Sequence, residues 1–262
     1  MNLTFAPLPR RQTLAGLLIA GLAALPAAVL AADGHAPHWE YSGKAGPAQW
    51  GKIAPEFGTC ATGHAQTPID VKGATPADLP ALQFSYGSMP LNLVNNGHTV
   101  QVNASGENKL NVGGREFKLL QFHFHTPSEE AINGKRFAMV AHFVHKDADG
   151  KLGVVGLLLK PGKPNAAFKA VFDNLPTQPN ADAPATPAGL SLDLAALLPA
   201  KLSYYSFDGS LTTPPCSEGV SWMVLREPVE LSPAQIKQFR RIFAHNARPL
   251  QPLGDRKVLA SP

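Results

Sequence analysis

The chain has 262 residues, 44% of them hydrophobic and 16% charged, which is enough for one sizeable domain with its own core. Its formal net charge of +4 includes Arg10 and Arg11 near the N-terminus; the remaining 21 basic and 19 acidic residues nearly balance. Lys and Arg are scattered rather than clustered, which excludes a nucleic-acid surface as the working reading.

Residues 1–32 read as an export signal: Arg10-Arg11, an apolar stretch from Leu14 to Leu30, then small residues through Ala31. The stretch is short for a membrane span and broken by Gly and Pro, so stable membrane insertion is not expected. The arginine pair fits either an ordinary secretory signal or twin-arginine export. A periplasmic or secreted protein meets oxidising conditions, where Cys60 and Cys216 are expected to pair; two buried free thiols are the alternative.

Residues 33–65 are rich in Gly, Pro and aromatics with little periodicity, and read as irregular chain packed by Trp39, Tyr41, Trp50 and Phe57. Short extended runs follow at Leu82 to Tyr86, Leu91 to Val94 and Thr99 to Val102, with a turn at Asn95-Asn96-Gly97 and His98 directly after it. Leu110 to Val112 and Glu116 to Leu120 form a hairpin pattern about Gly113-Gly114. Strands of this length and spacing predict a mainly β, single-domain protein.

Gln121-Phe122-His123-Phe124-His125 is the first stretch with chemistry in it. Side chains alternate along a strand, so His123 and His125 share one face while Phe122 and Phe124 anchor the other. Asn133-Gly134 is a strong hairpin turn signal. With a two-residue turn and an unbulged ladder, Ile132 faces Lys135 and His125 comes to lie across from His142 on the same face. Three neutral imidazoles converging on one face are a zinc ligand set. His145 has the wrong parity to join them and reads as structural.

Beyond the hairpin, Lys151 to Lys160 reads as a buried strand and Ala166 to Phe172 as a short helix within Pro- and Ala-rich loop. Leu192 to Leu198 reads as a helical turn or two, Tyr204 to Glu218 as Thr/Ser/Pro-rich chain, and Val220 to Leu225 as a strand. Ser232-Pro233 predicts a helix running to about Phe243. Asn246 to Val258 reads as irregular.

Six motifs in order resemble the α-class carbonic anhydrases, in their bacterial exported form: His38 to Tyr41, Gln66 to Asp70, Asn95 to His98, Gln121 to His125, Ala141 to His145 and Ser210 to Pro215. The resemblance covers nearly all of residues 33–262, which would form the catalytic domain, and implies a large, twisted, mostly antiparallel β-sheet with short peripheral helices. It implies reversible hydration of carbon dioxide to bicarbonate and a proton, by attack of zinc-bound hydroxide and histidine-mediated proton transfer. His123, His125 and His142 would bind Zn2+, with Gln121 and the backbone at Asn246 supporting the first two. Glu129 and Thr212 would orient the hydroxide, and His98 would shuttle the proton. Val144, Val154, Leu211, Thr213, Val220 and Trp222 would line the carbon dioxide pocket. The Cys60–Cys216 pairing also fits the family, whose bacterial members are often homodimers.

One position departs from the family pattern. A glutamate usually stands two residues before the third zinc histidine and accepts its other ring N–H; here Val140 stands there. Unless water or another residue supplies that acceptor, zinc should be held less well or turnover slowed, and Val140→Glu should slow zinc loss. The alternative reading is a catalytically weak or inactive zinc-binding module of the same fold.

Overall fold

The computed structural model describes residues 37–262 apart from Asp182 and Thr186. The export signal expected at residues 1–32 lies outside the described residues. The principal strands are β1 (Leu93–Asn95), β2 (Val100–Asn103), β3 (Lys109–Val112), β4 (Arg115–His125), β5 (Met139–Lys146), β6 (Leu152–Pro161), β7 (Tyr204–Ser210) and β8 (Glu218–Leu225). They belong to a twelve-stranded sheet in which β7-β8-β6-β5-β4-β2-β1 lie side by side and β3 pairs with the first part of β4. Only β6 and β8 run parallel among these neighbours. Helices are few and short, so the mainly β, mostly antiparallel expectation is met.

The two faces of the sheet bury different clusters. One carries Leu119, Phe122, Phe124, Ala141, Phe143, Val155 and Leu157 against Phe168, Phe172, Ile236 and Phe239. The other carries Val140, Val144, Val154, Leu158, Val220, Trp222 and Val224 with Ile69 and Val71. Leu119 and Phe122 share a cluster despite opposite parity because the β4–β5 register shifts: Val144 pairs with Gln121, but His145 pairs with Leu119. The extra residue, Leu120, has no partner on β5 and is exposed. Such a bulge reverses side-chain alternation beyond it, and so turns His123 and His125 away from the larger core.

Three predicted elements differ. Tyr204 to Ser210, read only as the start of a Thr/Ser/Pro-rich stretch, is strand β7; it pairs antiparallel with β8 across the intervening Pro-rich turn. Leu192 to Leu198 divides into a strand, Ser191–Asp193, and a single 3₁₀ turn, Ala195–Leu197. The C-terminal helix, Pro233–Arg240, starts at Ser232 as expected, with Ser232 and Gln235 capping each other's backbone N–H, but stops short of Phe243.

Candidate metal centre

The hairpin that carries the histidines has two registers. Next to the turn, Ile132 faces Lys135 and Ala131 faces Arg136, as counted from Asn133-Gly134. Further along, His123 faces His142 and His125 faces Val140, which corrects the expected His125–His142 pairing. Between the ladders one arm holds five residues, 126–130, and the other holds three, 137–139, of which Met139 pairs only with β6. The surplus on the first arm loops inward: Ser128 N–H donates to the Phe137 carbonyl, and Phe137 N–H returns to Ser128 Oγ. A slip of two residues preserves strand parity, so the three histidines still share a face.

Their metal-ligand nitrogens lie within 4.8 Å of one another, and this is the one such His/Cys/Asp/Glu group found among the described residues. Each ring is oriented by a bond through its other nitrogen. His123 Nδ1 meets Gln121 Oε1 at 2.8 Å, and His125 Nδ1 donates to the Asn246 carbonyl at 2.7 Å. His142 Nε2 meets the Glu130 carboxylate at 2.9 and 3.2 Å. The free nitrogens are therefore Nε2 of His123 and His125 and Nδ1 of His142, which fixes the tautomers a metal would need.

Burial lowers His123 to about 3 and His125 well below 6.5, so both are held as neutral imidazoles. Burial pulls His142 down too, but the Glu130 and Glu129 carboxylates outweigh it and the net shift is upward. Two buried atoms have no hydrogen-bond partner here: His125 Nε2 and Glu129 Oε2, 3.4 Å apart. Three converging nitrogens with an orphaned lone pair among them fit a tetrahedral divalent cation with one position left open.

Glu129 is fully buried, and its Oε1 accepts from Arg248 N–H at 2.8 Å. Burial raises it to about 7, while His142, the Thr212 side chain and that backbone N–H pull the other way. Thr212 is nearly buried in the turn between β7 and β8, where Leu211 N–H donates to Ser217 O and Cys216 N–H to Thr213 O. Cys216 is disulfide-bonded to Cys60. Val144, Val154, Val220 and Trp222 form one apolar cluster with Leu211 packed on it, and the Trp222 ring meets the His142 ring edge-on at 4.9 Å. Thr213 is half-buried.

His98 sits on the β1–β2 turn, where Asn96 Oδ1 accepts from the N–H groups of His98 and Thr99, and Gly97 takes a φ of +87°. Asn246 Nδ2 donates to the His98 carbonyl. The half-buried ring stacks on Trp39 with centroids 3.7 Å apart; burial lowers its pKa below 6.5, opposed by Glu40 and assisted by His38. His145 points to the opposite face and bonds Tyr86 Oη at 2.6 Å, apart from the other three histidines.

Two residues of this site carry no signal in the sequence. Glu130 looks like a solvated hairpin charge but is fully buried against His142. It meets the condition set for Val140: the third histidine has its acceptor. A glutamate at position 140 would enter an apolar cluster with that N–H already engaged, so the expected benefit of Val140→Glu loses its basis. Arg248, also buried, donates to Glu129, to Thr67 O and to Cys60 O. No periodicity marks it, because it lies in irregular chain.

The described residues contain no helix long and apolar enough to cross a membrane. The family model for eukaryotic-type carbonic anhydrase matches residues 45–262. A carbonic anhydrase of Pectobacterium carotovorum is 45% identical over 224 residues, covering 85% of this chain and 90% of that protein. One from Neisseria gonorrhoeae is 41% identical over 250 residues, covering 95% and 98%. The solved α-carbonic anhydrase of Thermovibrio ammonificans, in complex with the inhibitor sulfanilamide, superposes with a TM-score of 0.82 at 43% identity, covering 86% of this chain and all of that one.

Proposed function

The chain belongs to the α-carbonic anhydrases and is a carbonic anhydrase enzyme, and from that premise we propose that it hydrates carbon dioxide reversibly to bicarbonate and a proton with Zn2+ held by His123, His125 and His142. The observation that carries the proposal is the convergence of three tautomer-fixed imidazole nitrogens, two of them on fully buried rings, beside an apolar cluster. Bound there, zinc would supply a Lewis acid that makes water nucleophilic near neutral pH, as catalytic zinc does throughout this enzyme class.

The protein's own groups would do the rest. Glu129 holds an acceptor oxygen towards the Thr212 side chain; a hydroxyl that donates to this carboxylate must accept from the attacking water, which sets the direction of its lone pair. Val144, Val154, Leu211, Val220 and Trp222 offer an apolar wall suited to a substrate without a net dipole, with Thr213 next to Thr212 as a polar neighbour. Gln121 and Asn246 keep two ligand rings in register. The Cys60–Cys216 bond and the leader-like residues 1–32 support a site of action in the periplasm or outside the cell.

Stopped-flow hydration of carbon dioxide by the purified protein, with and without a zinc chelator, tests this reading. Chelation should abolish the activity and added zinc restore it; a zinc-loaded protein without activity would favour the binding-module alternative.

His98 would carry the product proton out to buffer. Replacing it by alanine should lower maximal turnover in dilute buffer, toward the low end of the roughly 10²–10⁴-fold worth of a positioned proton-transfer group, with imidazole restoring it. Only the neutral ring accepts a proton, and burial holds its pKa down. The proton-transfer advantage of the parent over His98→Ala should therefore persist below pH 6.5 and shrink as pH drops through the lowered value. Equal turnover of parent and variant across that range would remove His98 from the route.

A further inference from the structure

We propose that Glu130 is the positioning residue for the third metal ligand, its carboxylate arriving from the looped arm of the hairpin to do what the family assigns to a glutamate at the position of Val140. The inference rests on the zinc reading above, and three observations support it independently of catalysis.

The Glu130 side chain is fully buried, and both carboxylate oxygens face one atom, His142 Nε2, at 2.9 and 3.2 Å. A buried carboxylate with so specific a partner is costly unless the pairing is maintained. That pairing leaves Nδ1 as the one lone pair His142 can offer, whereas His123 and His125 offer Nε2. Among the three supporting acceptors, Gln121 and the Asn246 carbonyl are neutral; Glu130 alone is a carboxylate, the partner that most raises an imidazole's strength as a ligand.

Val140 explains why the carboxylate comes from elsewhere. It lies on the ligand face two residues before His142, opposite His125, and is fully buried in an apolar cluster. The looped arm 126–130 brings Glu129 and Glu130 into the interior together, each against a histidine of the group. The hairpin arm thus supplies both the carboxylate beside Thr212 and the one behind His142.

The test uses the zinc-loaded full-length protein and measures zinc release to excess chelator. Glu130→Met, apolar and of similar length, should release zinc about 10–100-fold faster than the parent. Glu130→Gln keeps an acceptor and should stay nearer the parent. Release from Glu130→Met at the parental rate overturns the inference. In the zinc-free protein, the His142 Nε2–H proton should give a protected downfield NMR signal that Glu130→Met abolishes; its persistence also overturns the inference. This signal is read without metal, so a parent that fails to bind zinc refutes the proposed function and leaves the Glu130 pairing to be judged by NMR. Val140→Glu in the Glu130→Met background should restore slow release. If that variant folds and still releases zinc quickly, the carboxylate has not been relocated between the two positions. Should it fail to fold, the comparison of Met with Gln decides.

Discussion

His125→Ala should leave a folded, disulfide-bonded protein that neither retains zinc nor hydrates carbon dioxide above background. His125 is a tightly held member of the proposed ligand set: its ring is buried, Nδ1 is committed to the Asn246 carbonyl, and Nε2 has no hydrogen-bond partner. Alanine leaves two imidazoles, which cannot close a tetrahedral site on their own. The activity loss should exceed the roughly 10–100-fold typical of residues that merely support a ligand, because the metal itself is lost. Stability should change less. The Asn246 carbonyl loses its donor, a penalty of about 1–3 kcal/mol, and removal of the ring relieves some buried polar crowding around Glu129. Zinc content by atomic absorption and hydration by stopped flow, beside a melting curve, separate these effects. A variant that keeps one equivalent of zinc and measurable turnover would show that the metal sits elsewhere.

How far this centre is legible in the sequence depends on parity. That His123, His125 and His142 share a face follows from strand alternation and one turn, and it survives because the hairpin slips by two residues and not by one. The slip itself is invisible. It arises where residues 126–130 leave the ladder to bury Glu129 and Glu130, and burial of acidic residues beside a hairpin turn runs against every compositional expectation. The same blindness applies to Leu120: nothing in a run of alternating residues announces the bulge that turns the histidines to the correct face. β7 is missed for a different reason. Its Ser, Asp and Gly residues suggest loop, but Tyr204 and Phe207 are buried and β8 supplies its ladder, so pairing overrides local preference. Arg248 shows a further limit, since its three bonds tie together segments far apart in sequence.

Reduction of Cys60–Cys216 should cost this protein more stability than any single side-chain change outside the core, and should lower activity without releasing zinc. The bond closes a loop with a sequence separation of 156. Chain-entropy reasoning gives a stabilisation of about 4–5 kcal/mol for a loop of that length. For a domain of this size that corresponds to a melting temperature lower by roughly 8–20 °C. The effect on catalysis follows from where the bond is attached. Cys216 ends the turn that carries Thr212, and its carbonyl accepts from Gln66 Nε2. The Cys60 carbonyl accepts from Arg248, whose backbone N–H holds Glu129. Breaking the bond thus loosens both members of the Glu129–Thr212 pair from opposite ends, while the three histidines remain on strands β4 and β5, which do not depend on it. The expected signature is a fall in turnover, measured well below the new melting temperature, with zinc content unchanged. Cys60→Ala combined with Cys216→Ala should reproduce the reduced state. A reduced protein, verified by thiol titration, that melts and turns over as before would show that neighbouring hydrogen bonds already hold the Thr212 turn.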